Sequence, residues 1–398
     1  MTEWKKVRLG DLCKNVYSGG TPKKSITEYY DGSIFWLNTK EINFNRIYET
    51  EKTISEKGLA NSSAKYIPEN TVVVAMYGTT AGKVAIAKNE MTTNQACCNL
   101  IIDETKADYN FVYYSIAHNY KKLSSLANGG AQQNLNAGII KDFEISLPPL
   151  SIQKEIASIL IPLDDKIENN KKINHHLEEI AQTIFDNYYL CEDNIVKKLG
   201  SLGKIQSSKR IFAKEYQSEG IPFYRGKEIS LLSNNENFNP ELYISNTRYN
   251  ELREHNPVPK NSDILITSVG TIGNVLLVNK SHLPFYFKDG NVTWIHSIRN
   301  EIICSEYIYL WLKSEYGQQE ILKSTIGSTQ SALTISAIEK FNIAIPKKDS
   351  LNNFQATVAP ILQSIERNSS EIQKLISFRD TLLPKLLSGE ISVTQATK

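Results

Sequence analysis

The stretch Gly129-Gly130-Ala131-Gln132-Gln133-Asn134-Leu135 returns 198 positions later as Gly327-Ser328-Thr329-Gln330-Ser331-Ala332-Leu333. The offset carries 129–186 onto 327–384 without a gap: Ile140 falls on Ile338, Phe143 on Phe341, Pro148 on Pro346, Pro162 on Pro360, Ile167 on Ile365, Asn170 on Asn368 and Leu177 on Leu375. Upstream the offsets shorten slightly, as loops of different length require. Leu9-Gly10 pairs with Leu199-Gly200, Trp36 and Lys40-Glu41-Ile42 with Phe223 and Lys227-Glu228-Ile229, and Gly78-Thr79 and Gly82 with Gly270-Thr271 and Gly273. The chain is therefore two copies of one unit, each a globular region followed by a helical tail, and not two unrelated domains.

Within each globular region, Thr71-Val72-Val73-Val74-Ala75-Met76 and Asp263-Ile264-Leu265-Ile266-Thr267 end in Gly-Thr turns and lead into further apolar runs, a pattern of strands and hairpins. Aromatic and aliphatic residues then recur every three or four positions, which predicts one helix over 109–126 and another over 305–322. The tails differ. Leu160, Leu163, Ile167, Asn170, Asn174, Leu177, Ala181 and Ile184 in the first follow the three-four spacing of a heptad seam. Val358, Ile361, Ile365, Asn368, Ile372, Leu375, Arg379, Leu382 and Leu386 do so in the second. Asn170 and Asn368 share a seam position; they either fix register at a cost in stability or mark a locally solvated stretch. Pro162 and Pro360 fall near the start of each seam, so each tail is expected to start or bend there. Antiparallel pairing is the economical arrangement of duplicated tails. Over roughly 25–30 residues it makes a spacer of ~40 Å, close to the ~34 Å turn of duplex DNA. The expected class is α+β: two duplicated mixed α/β domains, 1–150 and 193–349, separated by two long antiparallel coiled-coil helices in 151–192 and 350–398.

Composition excludes several function classes. With 45 Lys+Arg against 43 Asp+Glu, 41% hydrophobic and 9% aromatic residues, the chain is an ordinary folded one of net charge +2. No apolar run approaches the ~20 residues of a membrane span and Met1-Thr2-Glu3-Trp4-Lys5-Lys6 opens no secretory leader, so a cytoplasmic protein is expected. Five cysteines without a CxxC pair and six histidines without ligand spacing argue against a disulfide framework or a metal site. Gly78-Thr79-Thr80-Ala81-Gly82-Lys83-Val84 lacks the glycine spacing of a phosphate loop and reads as a hairpin turn. The Asn-Pro-Pro-aromatic and Asp-Pro-Pro-Tyr signatures of amino-methyltransferases are absent, and Glu3-Trp4-Lys5 and Glu104-Thr105-Lys106 have no strand-borne Asp upstream to make a nuclease site. No enzyme activity is expected.

Charge is distributed unevenly. Residues 1–150 hold 17 basic and 15 acidic side chains and 196–349 hold 19 and 15, whereas 151–195 hold 4 and 9. Cationic surface on the globular copies suits nucleic acid. Asn94-Gln95, Gln132-Gln133-Asn134, Asn291, Gln330 and Ser331 either read base edges or shape turns and caps, which the same residue types favour.

The order globular unit, heptad helix, globular unit, heptad helix resembles the specificity subunit of type I restriction-modification systems. The residues that carry the likeness are Trp4-Lys5 with Val7-Arg8-Leu9-Gly10-Asp11-Leu12, Trp36 with Lys40-Glu41-Ile42, Gly78-Thr79, Asn94-Gln95 and Gln132-Gln133-Asn134-Leu135. Leu147-Pro148-Pro149-Leu150 running into Leu163-Asp164-Asp165-Lys166-Ile167-Glu168, and Leu383-Pro384-Lys385-Leu386-Leu387-Ser388-Gly389, complete it. The resemblance implies a non-catalytic subunit with two target recognition domains, each reading half of a split, asymmetric site in double-stranded DNA. The helices would set the gap and dock two methyltransferase subunits, which restriction-translocase subunits join; S-adenosylmethionine, ATP and Mg would bind those partners and no cofactor this chain. Candidate DNA contacts are then Lys40, Thr79, Thr80, Lys83, Asn94, Gln95, Gln132, Gln133 and Asn134 in the first copy, and Arg225, Lys227, Thr271, Asn291, Gln330 and Ser331 in the second. Leu163, Ile167, Asn170, Leu177, Ile184, Ile361, Ile365, Asn368, Leu375 and Leu382 would fix helix register and partner docking. The second copy departs where Gly290-Asn291 stands near the place of Asn94-Gln95, and where Lys347-Lys348-Asp349 replaces Pro149-Leu150-Ser151. Two other classes remain open: a stand-alone DNA-modifying enzyme, and a duplicated scaffold for RNA or protein without duplex preference.

Overall fold

A computed structural model describes residues 4–127, 134–191, 193–236, 238–325 and 331–396. The chain forms two compact units, Met1–Lys166 with Leu375–Lys398, and Ile167–Lys374, so each takes in parts of both long helices.

The first unit contains β1 (Lys5–Arg8), β2 (Cys13–Ser18), β3 (Tyr30–Leu37), β4 (Asn45–Ile47), β5 (Thr53–Ile54), the short α1 (Glu56–Ala60), β6 (Tyr66–Ile67), β7 (Thr71–Ala75), β8 (Val84–Ala87), β9 (Met91–Thr93) and β10 (Cys97–Ile102). There follow α2 (Tyr109–His118), α3 (Tyr120–Ser125), α4 (Ala137–Asp142), β11 (Glu144–Leu147) and the first part of α5 (Leu150–Tyr189). One sheet runs β2-β10-β7-β8-β4, a second β5-β3-β9-β6, and β1 pairs with β11. All five residues of β7 are buried, and their alternation sorts them. Val72 and Val74 join the core beneath α2, while Val73 and Ala75 join one containing Leu37, Ile67 and Met91.

The second unit repeats this plan. Its elements are β12 (Ile195–Lys198), β13 (Lys204–Gln206), β14 (Tyr216–Gln217), β15 (Ile221–Tyr224), α6 (Gly226–Ser233), β16 (Tyr243–Ile244), α7 (Asn246–His255), β17 (Ile264–Thr267), β18 (Val275–Leu277), β19 (Tyr286–Phe287) and β20 (Val292–His296). There follow α8 (Ser305–Lys313), α9 (Glu315–Ser324), α10 (Ile335–Ile338), β21 (Asn342–Ile345) and α11 (Lys348–Ser388). Among the described residues its main sheet has four strands, β13-β20-β17-β18, without a counterpart of β4. The hairpins β7–β8 and β17–β18 are antiparallel, as apolar runs joined by Gly-Thr turns predict. Their turns need glycine for backbone reasons: φ is +73° at Gly78, +85° at Gly82, +79° at Gly270 and +91° at Gly273.

One expectation is corrected, and one of two alternatives at the prolines is removed. The helices predicted over 109–126 and 305–322 are each split, at Asn119 and at Ser314. Both are residues whose side chains compete for helix carbonyls: Asn119 Nδ2 donates to Ser115 O at 2.8 Å, and Ser314 Oγ to Trp311 O at 2.6 Å. Neither long helix starts at its proline. α5 begins at Leu150 and α11 at Lys348, twelve residues before Pro162 and Pro360, and both rings lie on the solvent face.

The helices run antiparallel within each unit. In the first, Ile156 and Leu160 share a core with Leu382 and Leu386. In the second, Phe185 meets Phe354 with ring centroids 6.5 Å apart, and Asn170 meets Glu371.

Just before β17, buried Asp263 accepts hydrogen bonds on Oδ2 from Lys260 N (2.8 Å) and Trp294 Nε1 (3.0 Å). Burial pushes its carboxyl up to about 6. An acid raised in the folded state contributes stability below its unfolded value near 4 and loses it as pH rises through 6. The second unit is therefore expected to lose about 2–3 kcal/mol from this group between about pH 4 and 7. Urea unfolding across that range checks it: Asp263→Asn should flatten the dependence, and an unchanged slope would reject the assignment.

Candidate nucleic-acid interface

In the first unit, backbone hydrogen bonds at the ends of three strands gather residues far apart in sequence. Asn94 N–H donates to Leu37 O (3.0 Å), Met76 N–H to Ala96 O (2.8 Å) and Leu135 N–H to Met76 O (2.8 Å), while Tyr77 and Asn134 form an isolated bridge. Asn38–Glu41, Asn94-Gln95, the tip Tyr77–Thr80 and Asn134 therefore follow one another along one rim. Trp36 Nε1 donates to Gly20 O at 2.9 Å and holds a further loop beside them, where Thr21 Oγ1 hydrogen-bonds Gln95.

The side chains divide by freedom. Asn94 is spent on the turn: its Oδ1 accepts from Ala96 N (3.0 Å) and its Nδ2 donates to Asn38 (3.3 Å). Glu41 caps Asn38 N at 3.0 Å, which explains the glutamate of the repeated Lys-Glu-Ile. Lys40 pairs with Glu51 at 2.6 Å on open surface, where such a bond is worth ~0–1 kcal/mol and yields to a phosphate. Lys83 Nζ donates to Asn43 Oδ1 (2.8 Å), and at the tip Thr79 stands exposed and Thr80 half-buried. Gln132 and Gln133 lie outside the described residues. Tyr77, 44% exposed at the tip, escaped the sequence reading, as did Thr21 and Asn38. The signal for Tyr77 was an aromatic directly before the Gly-Thr turn.

The second unit builds the equivalent rim. Lys288 N–H donates to Tyr224 O (2.8 Å), Ser268 N–H to Asn291 O (2.8 Å) and Leu333 N–H to Ser268 O (2.9 Å), and Val269 bridges Ala332. This aligns Arg225–Glu228, Gly290-Asn291, the Gly270–Gly273 turn with Thr271, and Ser331; Gln330 lies outside the described residues. The chemistry differs from the first rim. Where Asn38 stands in one copy, Arg225 stands in the other, gripping Glu228 through Nε (3.1 Å) and Nη2 (2.6 Å) and Glu241 through Nη2 (2.6 Å). These hydrogen bonds to Glu228 and Glu241 hold the guanidinium above its ordinary value. Lys227 also reaches Glu241, at 3.4 Å. Both cations predicted to contact DNA are thus already paired in this copy.

On the long helices, Ile167, Asn170, Ile365 and Leu382 are buried, and Leu163, Leu177, Ile184, Ile361, Asn368 and Leu375 are half-buried. Beyond Ala181 the seam drifts, so that Phe185 and not Ile184 is fully buried. Asn170 Nδ2 donates to Glu371 (2.8 Å), Asn368 Nδ2 to Asn174 Oδ1 (2.9 Å), and Asn174 Nδ2 to Ser369 Oγ (3.1 Å) and Ile365 O (3.3 Å). Asn235 extends this network to Glu178 (2.7 Å), which pairs with Lys313 at 3.2 Å. Buried polar groups satisfied in this way tolerate one register.

Burial pushes the Cys13 thiol up to about 11 and those of Cys98 and Cys304 to about 12, the reverse of an activated thiolate. Among the described residues no group of three or more His, Cys, Asp or Glu could hold a metal ion, and no helix is long and apolar enough to cross a membrane.

Known proteins share this plan. The family described as "Type I restriction modification DNA specificity domain" matches residues 1–179 and again 192–377. The chain is 29% identical to the type I restriction enzyme MjaIX specificity subunit of Methanocaldococcus jannaschii, over 99% of this chain and 98% of that one. It is 23% identical to the HindI specificity subunit of Haemophilus influenzae, over 98% and 100%. The crystal structure of a type I restriction-modification S subunit from M. genitalium superposes with a TM-score of 0.59 at 20% identity, covering 96% of each chain, and has the same fold. With the duplicated rims and paired helices, the double match over nearly the whole chain shows that this protein belongs to the type I restriction-modification DNA specificity family, whose members are non-catalytic recognition subunits and not enzymes.

Proposed function

We propose that regions 1–150 and 193–349 are two target recognition domains, each reading one half of a bipartite, asymmetric site in double-stranded DNA. The observation that supports this most is the twofold occurrence of one rim in a single chain, built by the same backbone hydrogen bonds but bearing different side chains. One scaffold with two chemistries suits two unlike half-sites. The first rim presents amides, hydroxyls and Tyr77, which suit base edges and stacking; Lys40 and Lys83 at its border suit phosphates. The helical regions 151–192 and 350–398 set the gap and dock two methyltransferase subunits, with restriction-translocase subunits completing the assembly in the cytoplasm. S-adenosylmethionine, ATP and Mg belong to those partners.

Exchanging 1–150 for the corresponding region of another specificity subunit is expected to change one methylated half-site and leave the other intact. Methylome sequencing of cells carrying the hybrid and its partners reads this directly. A hybrid that folds and supports methylation of the unaltered motif would remove recognition from this region.

A further inference from the structure

The two copies differ at one sheet edge. In the first unit β4 covers the outer edge of β8 as a parallel strand, with Asn45 opposite Ala85, Arg46 opposite Ile86 and Ile47 opposite Ala87. Phe44 N–H donates to Val84 O (3.0 Å) and Lys88 N–H to Ile47 O (2.8 Å), closing both ends. Arg46, its side chain 11% exposed, pairs with Asp165 of α5 at 2.6 Å.

In the second unit β18, the counterpart of β8 after the shared Gly-Thr turn, ends its sheet. The chain that would supply a covering strand forms α6 instead. Leu276, Leu277, Val278 and Asn279 line one side of a cavity of about 690 Å³. The other side is α11, where Gln363 stands 198 positions after Asp165 and Glu366 stands beside Arg367; Glu306, Lys280 and Glu178, the last already paired with Lys313, complete the charged lining. An uncovered edge is a template for another strand, and its main-chain groups supply affinity while alternate side chains supply specificity.

We propose that this cleft receives an extended segment of a partner protein, which adds to β18 as a parallel strand and turns a basic side chain toward Glu366. The required chemistry is that of Asn45-Arg46-Ile47 in the first copy: an apolar residue at the end and a cation at the position opposite Leu277. The inference is independent of which bases the rims read.

The test uses the full chain and a synthetic peptide with the sequence of 43–48, Asn-Phe-Asn-Arg-Ile-Tyr, titrated to ~1 mM. Amide hydrogen exchange should slow at 275–279, and Glu366→Gln should weaken binding about threefold, the size of a partly exposed ion pair. The same peptide with glutamate for arginine should not bind. Absence of protection at 275–279, protection only at 84–87, equal binding of the glutamate peptide, or an affinity unmoved by Glu366→Gln in a variant of unchanged circular dichroism would each overturn the proposal.

Discussion

Replacing Asp164 with asparagine, or Arg379 with alanine, is expected to destabilise the first unit by about 2–4 kcal/mol, because the first leaves the mostly buried Arg379 only the exposed Asp380 and the second leaves the buried Asp164 without a counterion. Asp164 is 8% exposed and makes full use of both oxygens. Oδ2 accepts from the buried Tyr114 hydroxyl at 2.6 Å and Oδ1 from Arg379 Nη1 at 2.8 Å. Burial alone would lower the proton affinity of Arg379, yet Asp164 and, through Nη2 at 2.8 Å, Asp380 hold it above its ordinary value. The duplication supplies the control. The positions related to Asp164 and Arg379 by the 198-residue offset are Leu362 and Ala181, so the same site on the other copy is apolar. A double variant Asp164→Leu with Arg379→Ala should therefore recover at least half of the single-variant loss, since an apolar pair leaves no stranded charge. Urea unfolding followed by fluorescence of Trp4 and Trp36 checks both parts. Single variants within about 0.5 kcal/mol of the parent would show that this cluster is a surface pair in energetic terms.

That cluster also shows where sequence reading stops. The duplication, the Gly-Thr hairpins and the seam positions are legible because each depends on local spacing: period two, period three and a half, or a glycine that a positive φ demands. Asp164, by contrast, sits beside an ordinary acidic run, Asp164-Asp165, and only the fold shows that one carboxylate faces Arg379 and the other Arg46. The prolines left start and bend open for a related reason. A proline in a helix interior costs a hydrogen bond, but the exposed faces at Pro162 and Pro360 let the long apolar seam carry the helix through. The contrast between β4 and α6 was equally hidden, since a three-residue strand is decided by the edge it pairs with and not by its own propensity. For the candidate interface, spacing marked the rim residues because they occupy turns. It could not say that Arg225 is committed to two glutamates or that Asn94 is consumed by its own turn, since those partners lie far along the chain.

Inserting four residues into 168–176 alone is expected to disrupt the second unit, and inserting four into both 168–176 and 366–374 to restore it while lengthening the gap between half-sites. Four residues advance a helix by ~6 Å, so a one-sided insertion carries Asn170 and Asn174 away from Glu371, Asn368 and Ser369. Each stranded amide or carboxylate then costs ~1–3 kcal/mol, and together they amount to a large share of a domain's stability. A matched insertion keeps partners level. Because four residues lie close to one helical turn, the apolar stripe is only locally unwound and still meets its neighbour. If the helices set the gap as proposed, ~6 Å corresponds to about one to two base pairs at ~3.4 Å each. Thermal unfolding separates the one-sided from the matched variant, and methylome sequencing of the matched variant reads the gap. A one-sided insertion as stable as the parent would show that the asparagine network does not specify register. A folded, active matched variant with an unchanged gap would take the spacer role away from the helices and leave it to the way the partner subunits bind the duplex.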